Sequence, residues 1–150
     1  VMKKFKFRLE PLLKVKSEIE KRKQKELADV HRRIITQKNK IEALELENLA
    51  TQNSQRNNLS GRITLGEMLV FTRYFMKLKR QKISDKEMLR ILDIDFEKKR
   101  QALLAASIER KKYERLKEIY NLKHLAELSK KDAKEADEFG RISHQNKSSH

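Results

Sequence analysis

The sequence predicts an all-α fold, a long two-helix antiparallel coiled coil, or α-hairpin, with arms of unequal length. Charged residues make up 39% of the 150 residues and hydrophobic residues only 37%, whereas a compact domain has about 45–50% apolar and about 25% charged residues. Three Gly and one Pro are too few for the turns that a sheet needs. The apolar residues instead recur at the alternating three- and four-residue spacing of a coiled-coil seam.

The first helix is predicted over about residues 9–52. Its seam consists of Leu27, Val30, Ile34, Ile41 and Leu44, with Gln37 and Asn48 as polar members. Apolar residues continue upstream to Leu9, but eight residues separate Ile19 from Leu27. That spacing breaks a strict heptad repeat, so we expect the supercoil to relax locally there.

The turn is predicted over about residues 53–64, where Asn, Ser and one Gly replace the seam. Asn and Ser side chains compete for backbone hydrogen bonds, and Gly tolerates turn dihedrals. Thr64 is followed three residues later by Glu67, the spacing of a capping box. The second helix therefore begins near Leu65.

The second helix is predicted over about residues 65–138. Its seam is Met68, Phe71, Phe75, Leu78, Leu89, Leu92, Phe96, Leu103, Ala106, Tyr113 and Tyr120. The polar residues that interrupt it are Lys82, Asp85, Lys99 and Arg110. From Gly140 a polar tail over about residues 140–150 is expected to be disordered, and residues 1–150 are expected to form a single coiled-coil unit.

The pairing register follows from the position of the turn. A turn centred near residue 58 places Leu13 opposite Leu103, Leu27 opposite Leu89 and Ile41 opposite Phe75. Residues 108–139 then have no partner within the chain, although they still carry an apolar stripe. Such a stripe predicts a partner, a bend or an oligomer.

Enzymatic chemistry is not expected. A two-helix hairpin has almost no interior in which a concave pocket could form. The three glycines are isolated, so no phosphate-binding loop is present, and the four histidines lack metal-ligand spacing. We expect no catalytic residue, cofactor or metal site. No apolar run approaches the roughly 18–20 residues of a membrane span, so the chain is expected to be soluble or at most peripheral to a membrane.

The net charge of +15 could attract phosphates, acidic proteins or anionic lipids. Basic residues are densest between Arg73 and Arg90, and Arg73, Lys77 and Arg80 form a candidate basic docking face; a solvated helix surface is the alternative. Tyr74 lies one position off the seam, four residues before Leu78, where it could be presented to a partner.

The N-terminal segment Lys3–Leu9 alternates bases with aromatic residues. Such a segment suits a membrane interface, a nucleic-acid strand or an acidic protein groove. Alternatively, Phe5, Phe7 and Leu9 cap the open end of the hairpin. The sequence leaves both interpretations open.

Three segments resemble the FliJ family of bacterial flagellar export proteins: FKFRLEPLL at residues 5–13, the stretch from Tyr74 to Leu78, and KDAKEADE at residues 131–138. The resemblance implies a stalk-like antiparallel coiled coil of the flagellar type III export apparatus. It implies a cytoplasmic location, peripheral at the cytoplasmic face of the cell membrane, and a role in flagellum biogenesis, motility and chemotaxis.

The resemblance also implies partners: the export ATPase ring, the export gate membrane protein and export chaperones, with no nucleic acid. The residues implied to enter the ATPase ring are Phe7, Leu9, Leu12 and Leu13. Tyr74 and Leu78 are implied to face the gate. Two alternatives remain open, a basic coiled coil that binds nucleic acid or anionic membrane, and a homodimeric structural coiled coil.

Overall fold

The computed structural model describes residues 3–149; Val1, Met2 and His150, the last residue of the predicted tail, lie outside the described residues. Two α-helices, α1 (Glu10–Leu59) and α2 (Leu65–Ser148), pack against each other. They contain 50 and 84 residues, and the described part of the chain has no strand. The predicted α-hairpin coiled coil with unequal arms is confirmed.

Helix α1 is longer than predicted. It begins where the Glu10 N–H donates to the Phe7 carbonyl at 3.1 Å, and Pro11 lies in the first turn, where a missing N–H is tolerated. It ends at Leu59, so the predicted turn over residues 53–64 is wrong for residues 53–59. The half-buried side chains of Thr51 and Gln55 extend the seam, and packing of this kind overrides the weak local preference of Asn and Ser for turns.

The turn occupies residues 60–64. The Gly61 N–H donates to the Asn58 carbonyl at 3.1 Å, which closes the end of α1. At the start of α2, the Glu67 N–H donates to Thr64 Oγ1 at 3.3 Å and the Thr64 N–H donates to Glu67 Oε2 at 3.4 Å. These reciprocal bonds form the capping box that the sequence indicates.

Helix α2 continues beyond its predicted end. It runs through Gly140 to Ser148, so the prediction of a disordered tail is wrong for residues 140–148. The side chains of residues 131–149 are exposed, and a Cβ at Gly140 would contact nothing outside its own stretch of helix. Because no packing is available there, the last turns are held by backbone bonds of the helix and by Ser148 Oγ, which donates to the His144 carbonyl at 3.0 Å.

The described residues fall into two compact units, each of which contains part of both helices. The first consists of the described part of Val1–Lys21 and Ala105–His150. Its buried apolar side chains are Phe7, Leu13 and Ala106. The ring of Phe7 lies 6.0 Å from that of Tyr120, so the segment before α1 packs along α2.

The second unit is Arg22–Leu104, with Val30, Ile34 and Leu78 as its buried apolar side chains. Here the His31 ring lies 6.0 Å from that of Phe96, and Glu26 Oε2 lies 3.6 Å from Lys99 Nζ. Within residues 3–149, no large side chain is fully enclosed, as expected of an interface one layer thick.

The predicted register is wrong. Leu27 was expected opposite Leu89, but its neighbour Glu26 pairs with Lys99. Because α1 runs to Leu59, each residue of α1 meets a residue further along α2. The same shift gives residues 108–124 a partner, since Lys16 contacts Glu109. The expectation that residues 108–139 lack a partner is therefore wrong for the stretch up to His124, whose ring contacts Phe5.

The expected break in the α1 heptad is also absent. Lys16, Glu20 and Lys23 are half-buried or buried, and they continue the three- and four-residue spacing between Leu13 and Leu27. The seam positions are occupied by charged residues, so the repeat is polar over this stretch and not interrupted.

Candidate docking surfaces

Polar seam residues make specific contacts between the helices. In the unit Arg22–Leu104, Gln37 Nε2 donates to the Asp85 carbonyl at 2.9 Å, and Lys82 Nζ lies 3.0 Å from Glu45 Oε1. In the other unit, Lys117 Nζ lies 2.9 Å from Glu10 Oε2, an ion contact without hydrogen-bond geometry. These contacts fix which residues of the two helices face each other.

Arg110 forms the most connected of these contacts. Its guanidinium donates to the carboxylate of Glu20 across the hairpin and to Glu114 Oε1 at 2.6 Å along α2. These hydrogen bonds, with Glu20 first and Glu114 second, raise the pKa of Arg110. Arg110 thus balances the charge of the buried Glu20, which lies where the apolar residues alone indicate a break in the α1 repeat.

Within residues 3–149, no three His, Cys, Asp or Glu residues are grouped so that they could hold a metal ion. The perturbed carboxyl groups lie on helix surfaces: hydrogen bonds from Arg100 and Gln101 lower the pKa of Glu97 to about 2, and Arg90 lowers that of Glu87. Neither described helix contains a stretch long and apolar enough to cross a membrane.

The four N-terminal candidate residues do not share one environment. Phe7 and Leu13 are buried, Leu9 is half-buried and Leu12 is 37% exposed. The ring of Phe5 lies 5.7 Å from that of His124, and His124 Nε2 lies 3.2 Å from the Lys3 carbonyl. This packing favours the hairpin-cap interpretation for the two phenylalanines and leaves Leu12 as the accessible apolar side chain of the set.

Tyr74 and Leu78 also differ. Leu78 is buried at 7% exposure, so it stabilises the hairpin. Tyr74 is half-buried and donates its hydroxyl to the carboxylate of Glu47. A shallow groove of about 390 Å³ lies beside it, lined by Glu47, Ala50, Thr51, Ser54, Val70, Phe71 and Tyr74. Only Tyr74 of the predicted pair is available at the surface.

The three candidate basic residues are brought together. Arg73, Lys77 and Arg80 are exposed and line a shallow cleft of about 430 Å³ with Met76, Gln81 and Ser84. The sequence interpretation did not include Met76, which is 54% exposed, or Ile83, which is 61% exposed. Their seven-residue spacing was the available signal, but it lies off the seam that the apolar pattern defines.

The chain resembles known proteins over almost its whole length. A family model described as the flagellar FliJ protein matches residues 5–149. Among solved structures, a YscO homologue from Chlamydia trachomatis, CT670, superimposes with a TM-score of 0.58 at 22% sequence identity, over 95% of this chain and 96% of that chain. At that identity the likeness concerns the fold. Comparison with curated proteins gives no match.

Proposed function

This chain belongs to the flagellar FliJ protein family, and we propose on that basis that it is a non-enzymatic component of the bacterial flagellar type III export apparatus. In this role it is a stalk-like coiled coil that binds the export ATPase ring and the export gate and escorts export chaperones. It works in the cytoplasm, peripherally at the cytoplasmic face of the cell membrane. The observation that carries the proposal is the family match over residues 5–149 on a two-helix hairpin.

Binding to the ATPase is assigned to the end that holds the start of α1. Leu12 is the exposed member of the set implied to enter the ring, and Leu9 beside it is half-buried. Phe7 and Leu13 support this end from inside, because Phe7 packs on Tyr120. Because Leu12 is exposed in the folded hairpin, it could contact the ATPase ring without unfolding of the hairpin.

The first test mixes the purified chain with the cognate flagellar export ATPase at about physiological salt and measures ATP hydrolysis and ring assembly. We expect the chain to stimulate both and the Leu12→Ser variant to lose most of the effect. Leu46→Ser is the matched control, because Leu46 is also a leucine on α1, is 61% exposed and lies far from the start of that helix. Removal of residues 1–13 should abolish stimulation as well, but it also deletes the buried Phe7 and Leu13.

No effect of the chain on the ATPase, or equal losses in the Leu12 and Leu46 variants, would count against this role. Salt-sensitive binding to DNA or anionic vesicles in the absence of an ATPase effect would favour the nucleic-acid or membrane alternative, which the charge of +15 supports. Phosphate contacts make the logarithm of the affinity fall steeply with the logarithm of the salt concentration.

Binding to the gate is assigned to Tyr74. Because Leu78 is buried, Leu78→Ala would cost about 2–3 kcal/mol of stability and would confuse a binding experiment. Tyr74→Ala is the cleaner variant. We expect it to weaken capture of the cytoplasmic part of the gate protein and to reduce swimming, while Thr72→Ala, two residues away and exposed, leaves both unchanged. Normal export in the Tyr74 variant would remove the assignment.

A further inference from the structure

Helix α2 carries a second apolar line on the face that points away from α1. Leu69, Met76, Ile83 and Ile94 are 51%, 54%, 61% and 46% exposed. At about 100° per residue, their side chains leave the helix within about 40° of one another. The buried seam residue Leu78 leaves on the opposite side. We call these four residues the outer line.

Basic residues flank the outer line on both sides. Arg73, Lys77 and Arg80 follow one side, and Lys79 and Lys86 follow the other; all five are exposed. Among residues 3–149, none of the five has a carboxylate within ion-pair distance. Glu87 is the acidic residue that leaves α2 on the same side as the outer line, and its carboxylate forms an ion pair with Arg90 at 2.6 Å. The surface is therefore apolar at its centre and positive at its margins.

Two shallow clefts follow one another along this face. The first, of about 430 Å³, includes Met76, and the second, of about 490 Å³, includes Ile83 and Ile91. They share Arg80 and Ser84. In helix–helix packing, the ridges of one helix fill the depressions between side chains that lie one to two turns apart on the other helix.

We propose that the outer line is a docking surface for an amphipathic helix of a partner protein, with Leu, Ile or Met along one face and Asp or Glu at its margins. Burial of the outer line against the apolar face of that helix supplies affinity. The unpaired cations select an acidic partner and orient it. The surface contains neither the end at Leu12 nor Tyr74, so this inference goes beyond the proposed function.

Other ligands fit the face less well. Nucleic acid would pair with the cations but would leave Met76 and Ile83 exposed to water. A membrane would need an apolar face wider than one residue, and here Arg73 and Arg80 lie close to the line on the helix surface. Charge complementarity together with helical spacing favours a protein helix.

The test uses a fluorescent synthetic peptide about three heptads long, with Leu at the seam positions and Glu at the flanking positions. A scrambled peptide of equal composition is the reference. Anisotropy is measured against the full chain at about physiological salt. We expect the amphipathic peptide to bind and the scrambled peptide not to bind. Two double variants of the chain, Met76→Ser with Ile83→Ser and Arg73→Glu with Arg80→Glu, should each weaken binding by about tenfold or more.

Matched controls are available on the same helix. Lys130→Glu with Lys134→Glu makes the same charge change at exposed positions, and Leu122→Ser with Leu125→Ser removes two apolar side chains that are 63% and 53% exposed. Both controls should bind as the unmodified chain does, and circular dichroism should show equal helicity in all variants.

Several results would overturn the inference. These are equal binding of the scrambled peptide, losses in the controls as large as those in the outer-line variants, and no binding at all. Sedimentation with phosphatidylserine vesicles or binding to duplex DNA that depends on Met76 and Ile83 would assign the face to those ligands instead. A dimer of the chain alone that Ile83→Ser dissociates would assign it to a second copy. None of these results depends on stimulation of the ATPase.

Discussion

At the scale of single residues, Glu97 shows how an exposed ion pair makes stability depend on pH. Arg100 donates to its carboxylate at 2.9 and 3.0 Å and Gln101 donates at 3.1 Å, which lowers the pKa from the ordinary 4.5 to about 2. A lowered pKa in the folded state stabilises the fold above the ordinary pKa, and the effect is lost as the pH falls through about 2.

We therefore expect the unmodified chain to be slightly more stable than Glu97→Gln at pH 7 and nearly equal to it at about pH 2. The effect is small because water screens an exposed pair. Urea unfolding followed by circular dichroism at both pH values measures the difference. A difference that stays constant between the two pH values would show that the pair does not form.

We expect the polarity of Gln37 to serve the pairing register more than stability. It is 7% exposed, and its amide donates to the Asp85 carbonyl. A polar residue inside a coiled-coil seam disfavours pairings in which it has no partner, at a cost in stability.

We expect Gln37→Leu to raise the free energy of unfolding by about 1 kcal/mol and to allow oligomers at high concentration. Urea unfolding and sedimentation velocity measure the two effects. Gln24→Leu is the control, since Gln24 is exposed on the same helix. A Gln37→Leu chain that is less stable would mean that the amide bond contributes more than the apolar contact it prevents.

At the scale of elements, the start of α2 depends on its capping box. Thr64 and Glu67 satisfy each other's backbone N–H groups, and the loss of such a cap costs about 1 kcal/mol. We expect this loss for Thr64→Ala with Glu67→Ala in urea unfolding, with faster hydrogen exchange at residues 65–68. Thr72→Ala, whose hydroxyl bonds only the Met68 carbonyl within its own helix, should change little.

The end of α1 is open to an equally direct test. Asn53 is exposed within α1, whereas Arg62 lies in the turn. Proline inside a helix costs about 3 kcal/mol or more, so Asn53→Pro should strongly lower the free energy of unfolding and Arg62→Pro should lower it by less. Equal effects would place Asn53 outside the helix.

The elements also show which parts of the fold are visible in the sequence. The seam of α2 was predictable because apolar residues mark it, and Lys82, Asp85, Lys99 and Arg110 fall on its polar positions with partners in α1. The end of α1 was not predictable, because Asn and Ser indicate turns only weakly. The pairing register depends on that end, so the two errors have one cause.

The candidate surfaces were predictable in part for a similar reason. The cluster of Arg73, Lys77 and Arg80 follows from helical spacing alone. The burial of Leu78 follows from the seam, yet Tyr74 could be placed only once Glu47 was found beside it. The burial of Phe7 depends on Tyr120, which is distant in sequence and invisible to a local pattern.

At the scale of the whole molecule, the two compact units raise the question of how many steps unfolding has. Both helices run through both units without interruption, and we expect a single cooperative transition. The chain has no Trp, so tyrosine fluorescence reports on each unit: Tyr74 on Arg22–Leu104, and Tyr113 with Tyr120 on the other. Urea transitions of Tyr74→Phe and of Tyr113→Phe with Tyr120→Phe should coincide, and separate midpoints would show two cooperative units.

The contacts of the hairpin are nested, and this favours one order of assembly. The Gln37–Asp85 bond joins residues 48 apart, the Arg110–Glu20 bond residues 90 apart and the His124–Lys3 contact residues 121 apart. The entropy lost in closing a loop grows with its length, and each inner contact shortens the loop that the next one closes. We therefore expect the hairpin to form from the turn at residues 60–64 outward. On this basis Phe5 and Phe7 would dock last and detach first, which would expose the N-terminal end to a partner while the rest of the hairpin stays closed.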